Sequence, residues 1–326
     1  MSAPVIEVEE LRRTYRVSTG IVRRRLLEVE AVRGISFSVG QGELFGLLGP
    51  NGAGKTTTIK MLITLLLPTS GTARVLGYDV VRQSREVRKR IGYVFGGDRG
   101  LYDRLSGLDN LRYFAELYGV PPREQKRRIA ELLDLVGLSG REAERVEGYS
   151  RGMRQRLHVA RGLLHDPPVV FLDEPTIGVD PVGARELRAT MAALVSAGKT
   201  VLLTTHYMFE ADALCHRIAV IARGQIVAEG SPSALKAMVS DGVVVELEAY
   251  DPPADGADAL RRVPGVVRVT VEERDQAQLF VVQAAAGFDG TPELIAALAD
   301  ARLARVATRE PTLEDAYVAL VEGASG

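Results

Sequence analysis

Short apolar runs, spaced by amphipathic stretches, pattern the first two thirds of the chain. Val5 to Val8 and Gly34 to Val39 alternate apolar with polar residues and predict strands, joined by a long loop from Val17 to Ala31. Leu44 to Leu48 is apolar almost throughout and predicts a buried strand, followed by a helix-like run from Ile59 to Leu67. Thr72 to Val75 and Ile91 to Phe95 add two more strands. From about residue 98 to 164 the rhythm turns helical, in Asn110 to Tyr118 and Arg123 to Val136, with Pro121-Pro122 and Gly137 to Gly140 as breaks. Strands return at Val169 to Leu172, Thr200 to Thr204 and Ile218 to Ile221, with an amphipathic helix at Val182 to Ala197. That βαβ rhythm implies a parallel sheet carrying a helical insertion.

Past the turn-rich Gly230-Ser-Pro-Ser233 the pattern changes again. Strand Val243 to Ala249, helix Gly256 to Arg262, strands Val266 to Val271 and Gln278 to Val282, helix Pro292 to Ala299, strand Leu303 to Thr308 and helix Leu313 to Val321 follow in order. This is βαββαβ plus a helix, a ferredoxin-like order. Thr312 and Asp315, with Pro311 before them, suit the start of the last helix. The expected architecture is an α/β domain over residues 1–235 and a small α+β domain over 240–326.

Composition narrows the classes. With 326 residues, 46% hydrophobic and 25% charged, the chain holds enough apolar material for two domains. Its 41 basic and 42 acidic residues give net charge −1, so no global field draws it to nucleic acid or anionic lipid. Arg23 to Arg25 fall short of the roughly 4–8 charges of polybasic lipid sites and read as a solvated loop. One cysteine, Cys215, excludes an internal disulfide, and the acidic start lacks the layout of a signal peptide. Met61 to Leu67 is far below the ~20 residues of a membrane span, so a membrane role would run through a partner.

Chemistry concentrates in two places. Gly49-Pro-Asn-Gly-Ala-Gly-Lys-Thr-Thr57 lies between a strand and a helix and has the G-x-x-x-x-G-K-T spacing of a P-loop. Backbone N–H groups through Asn51, Gly52, Ala53, Gly54 and Thr57 can curl around phosphates, Lys55 can reach the β and γ groups, and the Thr56 hydroxyl can hold Mg²⁺. Val169-Val-Phe-Leu-Asp173-Glu174 is a buried strand ending in two carboxylates. Beside a P-loop, Asp173 can order the Mg²⁺ shell and Glu174 can polarise the attacking water. His206, after a strand, can reach a γ-phosphate, although a lone histidine there is as readily structural.

Taken together, residues 5 to 235 resemble the nucleotide-binding subunits of ABC transporters. Tyr149-Ser-Arg-Gly-Met-Arg-Gln-Arg156 is similar to the family's signature motif, with Ser150 and Gly152 in place. Thr176 to Asp180 is similar to its D-loop, Thr205-His206 to its switch histidine, and Tyr15 stands where an aromatic stacks on adenine. The resemblance implies that ATP and Mg²⁺ bind between the P-loop of one copy and the Ser150 and Gly152 of another copy or a homologous ATPase, head to tail. It also implies a membrane permease as partner, on the cytoplasmic face, and no nucleic acid.

Two departures stand out. Arg151 and Met153 replace a glycine and a glutamine of the signature. After Ile91 to Phe95 the family expects a glutamine, but the chain reads Gly96-Gly97-Asp98-Arg99. Asp98 takes the Mg²⁺ side, or water fills the place, or hydrolysis is slow. The ending Glu310 to Ala316 resembles the C-terminal extension of daunorubicin-type drug exporters, with Leu101, Tyr102 and Leu105 as apolar surface for the permease. Cargo stays open among drugs, lipids and natural products. A carbohydrate exporter would call for a β-sandwich tail, and a ribosome-acting ABC protein for two cassettes with a basic linker.

Overall fold

The computed structural model describes residues 3–19, 25–96, 100–238, 242–274 and 276–323. Two units divide the chain, Met1–Ser231 and Pro232–Gly326. In the first, the order is β1 (Ile6–Thr19), β2 (Arg25–Val39), β3 (Leu44–Leu48), α1 (Lys55–Leu62), β4 (Ser70–Val75), β5 (Tyr78–Asp79), α2 (Ser84–Arg88) and β6 (Ile91–Phe95). The helical insertion holds α3 (Gly107–Leu117), α4 (Pro122–Leu135) and α5 (Arg151–Gly162). After it come β7 (Val169–Asp173), α6 (Pro181–Ser196), β8 (Thr200–Thr205), α7 (Met208–Leu214), β9 (Arg217–Ala222) and β10 (Gln225–Gly230).

Strand order β10-β9-β3-β8-β7-β6 makes the main sheet, parallel except for β10. β3, β7 and β8 are buried at every residue, which is why their sequences run apolar on both faces. A second sheet, β2-β1-β4-β5, is antiparallel and closes a core in which Ile6, Leu11 and Ile35 meet Phe45 and Ile59. Capping fixes the insertion's geometry: the hydroxyls of Ser106 and Ser150 accept from the amides of Asp109 and Met153 at the starts of α3 and α5.

Two expectations need correction. The predicted loop from Val17 to Ala31 is mostly ribbon, because β1 and β2 stay paired from Ile6↔Val39 out to Thr19↔Arg25. Alternation such as Tyr15↔Val29 against Arg16↔Glu28 is a two-faced strand pattern, and the three arginines hid it; Arg23 and Arg24 lie outside the described residues. The helix predicted at Ile59 to Leu67 instead spans Lys55–Leu62. It starts earlier because the P-loop lysine is its first residue, and it stops because Thr64 turns left-handed, leaving Leu65 and Leu67 exposed.

The second unit contains α8 (Pro232–Ala237), β11 (Val243–Tyr250), α9 (Gly256–Arg261), β12 (Val266–Arg274), β13 (Ala277–Ala284), α10 (Thr291–Ala297), β14 (Arg302–Arg309) and α11 (Leu313–Gly323). Its antiparallel sheet has order β12-β13-β11-β14, the ferredoxin-like arrangement, with Leu260 and Leu294 of the two intervening helices packed on Val245, Leu247 and Phe280. Arg309 stitches this sheet to α11. Its guanidinium donates to Glu246 Oε1 at 2.7 Å and to both oxygens of Asp315 at 2.6 and 3.0 Å, while Thr312 donates its amide and hydroxyl to Asp315 Oδ2. Burial alone would raise the Asp315 carboxyl, but these donors hold it below the usual carboxylate range. Arg309→Leu should therefore cost about 1.5–3 kcal/mol. Hydrogen exchange should quicken at β11 and β14 amides and stay unchanged at β3.

Candidate active site

The phosphate cradle is built where β3 runs out. Gly54 adopts φ 109°, which few residues with a side chain tolerate, and a Cβ there would sit 2.5 Å from the Ala31 carbonyl oxygen. This bend starts α1 without a side-chain cap and with no acid in its first turn. The first amides of a helix have no acceptor within it, so this end presents bare donors and the positive end of the helix dipole. Asn51 and Gly52 are exposed at the crown, Ala53 and Gly54 are buried beneath, and Thr56 and Thr57 are half-buried. Lys55 is 4% exposed, and its Nζ donates to Gly49 O at 2.6 Å and Pro50 O at 3.1 Å.

The two carboxylates of β7 have separate surroundings. Asp173 Oδ1 accepts from the hydroxyls of Thr56 at 3.2 Å and Thr204 at 2.5 Å. Burial pushes its carboxyl up from the ordinary range, and the two hydroxyl donors oppose that. Glu174 sits at φ 49°, a left-handed conformation costly for a residue with a side chain. Its amide is held by the Thr204 carbonyl and hydroxyl at 3.0 and 3.1 Å. The carboxylate lies between a cation and an imidazole: Lys55 Nζ is 3.3 Å from Oε1 and His206 Nδ1 is 3.3 Å from Oε2. Thus Lys55, Thr56, Asp173, Glu174 and His206 converge at one point.

Sequence reasoning passed over Thr204. It stands beside Asp173 in the parallel register and binds both carboxylate residues, so the Thr-Thr end of an otherwise apolar strand was the available signal.

Other expected residues lie apart from this cluster. Among the described residues, no hydrogen bond or ion pair joins Ser150, Gly152 or Asp180 to the P-loop. Ser150 caps α5, and Asp180 caps α6 by accepting the amides of Val182 and Gly183. A Cβ on Gly152 would meet Val179 at 3.2 Å, so the glycine lets α5 lie close to the start of α6. Tyr15 is half-buried on the ribbon. Asp98, the candidate on the Mg²⁺ side, is outside the described residues. Gly96 is described: its amide donates to Asp173 O at 2.7 Å, and a Cβ there would strike the Glu174 carbonyl. Buried Gln155 of α5 donates to the Phe95 carbonyl at 3.2 Å, a tie from the signature helix to the end of β6 that the sequence did not disclose.

Comparison with known proteins agrees with this geometry. Residues 32–177 match the ABC transporter family model. The ABC transporter ATP-binding protein NatA of Bacillus subtilis (strain 168) is 42% identical over 207 residues, 64% of this chain and 84% of that protein. The chain belongs to the ABC transporter ATP-binding subunits. The daunorubicin resistance ATP-binding protein DrrA3 of Streptomyces coeruleorubidus is 38% identical over 299 residues, covering 91% of this chain and 93% of that one, so the likeness extends into the second unit. A solved ATP-binding subunit of an ABC transporter superposes with TM-score 0.60 at 29% identity, over 72% of this chain and 92% of the other. This chain is therefore an ATP-binding, ATP-hydrolysing transporter subunit, and no helix among the described residues is long and apolar enough to cross a membrane.

This ABC ATPase also has a cleft of about 1040 Å³ between α2, the start of β6 and the α3–α4 turn. Six lysine or arginine side chains line it against three carboxylates, and Leu65, Tyr118 and Pro121 supply apolar wall. Leu101, Tyr102 and Leu105 do not line it. Tyr102 and Leu105 are exposed, and Tyr102 packs edge-on against Tyr113 at 5.0 Å and exchanges two hydrogen bonds with Asn110.

Proposed function

We propose that this chain is the energy-supplying subunit of an exporter in the drug-resistance class, acting on MgATP at the Lys55, Asp173 and Glu174 cluster. The carrying observation is the Glu174 carboxylate fixed between Lys55 and His206 while Asp173 is tied to Thr56. In this reading Lys55 and the amides of residues 51–57 take the β- and γ-phosphates. Glu174 accepts the proton of the attacking water, and His206 holds Glu174 and faces the γ-phosphate. The Thr56 hydroxyl and Asp173 carboxylate are hard oxygen donors side by side, a set that suits Mg²⁺, which would neutralise phosphate charge. Tyr15 takes the adenine. Ser150 and Gly152 serve the γ-phosphate of a second copy or a homologous ATPase, and their separation from the P-loop within one chain supports a head-to-tail pair. Asp180 shapes that seam by capping α6.

The permease seats a segment in the basic cleft from the cytoplasmic side of the membrane. Likeness to the daunorubicin resistance protein DrrA3 along nearly the whole chain favours export of a small molecule such as a drug over carbohydrate export. The test is to tag the chain in its host, solubilise membranes gently and identify what co-purifies. A stoichiometric multi-span protein is the expected result; ribosomal proteins, or no membrane partner, would overturn it. In the same assay Arg88→Glu with Arg127→Glu should lower recovery of the permease about tenfold or more, as like charges across an interface cost several kcal/mol. ATP binding by the isolated chain should be unchanged.

A further inference from the structure

Arg13 shares the ribbon with Tyr15 and has no part in the chemistry described above. Its guanidinium carbon stands 4.8 Å from the centroid of the Tyr15 ring, so the cation covers one face of the aromatic. Nη1 donates to the Leu67 carbonyl at 2.9 Å, while Nε is buried with no hydrogen-bond partner. The contact is reinforced on both sides: the Thr14 amide donates to the Thr69 hydroxyl at 3.0 Å, and the Thr69 amide donates to Arg12 O at 2.8 Å. Leu67 belongs to the turn that closes α1, whose Leu65 and Leu66 amides fold back onto Lys60 O. That helix opens at Lys55 and Thr56. A short covalent and hydrogen-bonded path thus runs from the phosphate cradle through α1 and Leu67 to Arg13 and the Tyr15 ring.

The other side of the cradle touches the same ribbon. The Ala31 carbonyl lies against Gly54, and the Gly224 amide donates to Ala53 O while the Arg33 amide donates to Gly224 O. Two residues before Ala31, Val29 pairs directly with Tyr15 and is 43% exposed; Leu27 beyond it is 54% exposed. Arg16 and Glu28 form their ion pair at the neighbouring register position, whose side chains point to the opposite face of a pleated ribbon. The strip around Tyr15 is therefore apolar, with one ring face already occupied by a cation.

We infer that Arg13 is a positioning residue for the nucleotide base: it clamps the Tyr15 ring from one face, leaving the opposite face to stack on the purine. This rests on the reading that Tyr15 takes the base. A guanidinium over a tyrosine face draws on the ring's quadrupole, and fixing the ring in advance removes an ordering cost from binding. Losing both should raise the Kd for MgATP about threefold to tenfold.

The experiment is calorimetric binding of MgATP and of Mg-tripolyphosphate, with kcat, to the full chain carrying Arg13→Ala, Arg13→Lys, Tyr15→Ala and the double change Arg13→Ala with Tyr15→Ala. Expected are a weakened Kd for ATP in Arg13→Ala, a smaller loss in Arg13→Lys, unchanged tripolyphosphate binding, unchanged kcat at saturation, and no added loss in the double variant. Tripolyphosphate binding also reports that the cradle has folded. If Arg13→Ala binds ATP normally while Tyr15→Ala does not, or if the two losses add, the inference is wrong. If Tyr15→Ala itself binds ATP normally, it is the reading of Tyr15 that fails.

Discussion

Glu174→Gln is expected to bind MgATP about as tightly as the parent chain while its turnover falls by about 10²–10⁴, the usual worth of a positioned base. Glutamine matches the shape of glutamate, tolerates the same strained backbone about equally poorly, and can keep its carbonyl oxygen toward Lys55 while its NH2 faces the His206 ring. What it loses is the capacity to take a proton from water. Since hydrolysis would be the step that reopens a nucleotide-bridged pair, the variant should also accumulate as a dimer in MgATP. Rate measurements under saturating ATP, with sizing by light scattering, check both statements. A native rate would mean that another group is the base, and Asp173 is a poor substitute because its near oxygen is already occupied by two threonine hydroxyls.

Lys55→Ala should act earlier, on binding. The ammonium is almost wholly buried and has three partners, the carbonyls of Gly49 and Pro50 and the Glu174 carboxylate. Removing it deletes the cation that would face the phosphates and leaves a carboxylate beside them uncompensated. Truncating one member of a buried charged pair costs about 2–5 kcal/mol, so ATP affinity should drop by about thirtyfold to several thousandfold. Titration calorimetry reads this directly, and an unchanged circular dichroism spectrum shows that the loss is not one of folding. Near-native affinity would remove Lys55 from the phosphate site.

The order of these two effects, binding before turnover, follows from where each group sits. Lys55 grows out of the cradle at the end of β3, whereas Glu174 reaches in from the end of β7, across the intervening strand β8 that holds its amide. Their meeting depends on the parallel register that puts Asp173 beside Thr204 and Leu48 beside Thr205.

Much of this was legible in local sequence because the physics was local. The glycine spacing of residues 49–57 specifies a loop that only small residues can follow, short apolar runs such as Leu44 to Leu48 and Val169 to Leu172 specify central parallel strands, and strict order of elements after residue 243 specifies the second unit's topology. The cap at Thr312 acts within three positions of itself and was read the same way, whereas Ser150 and Asp180 were read only by resemblance and the structure shows them as caps.

What the tertiary structure decided were matters of register and distance. Whether residues 17–31 form a loop or a ribbon depends on cross-strand pairing between stretches whose charges mask their alternation. That Thr204 rather than a charged group holds both carboxylate residues, that Glu174 pays backbone strain to face Lys55 and His206, and that among the described residues no hydrogen bond or ion pair joins Ser150 or Gly152 to the P-loop all depend on segments far apart in sequence. Side-chain type states which bonds a residue can make; only the packing of β3, β7 and β8 determines which of them it does make.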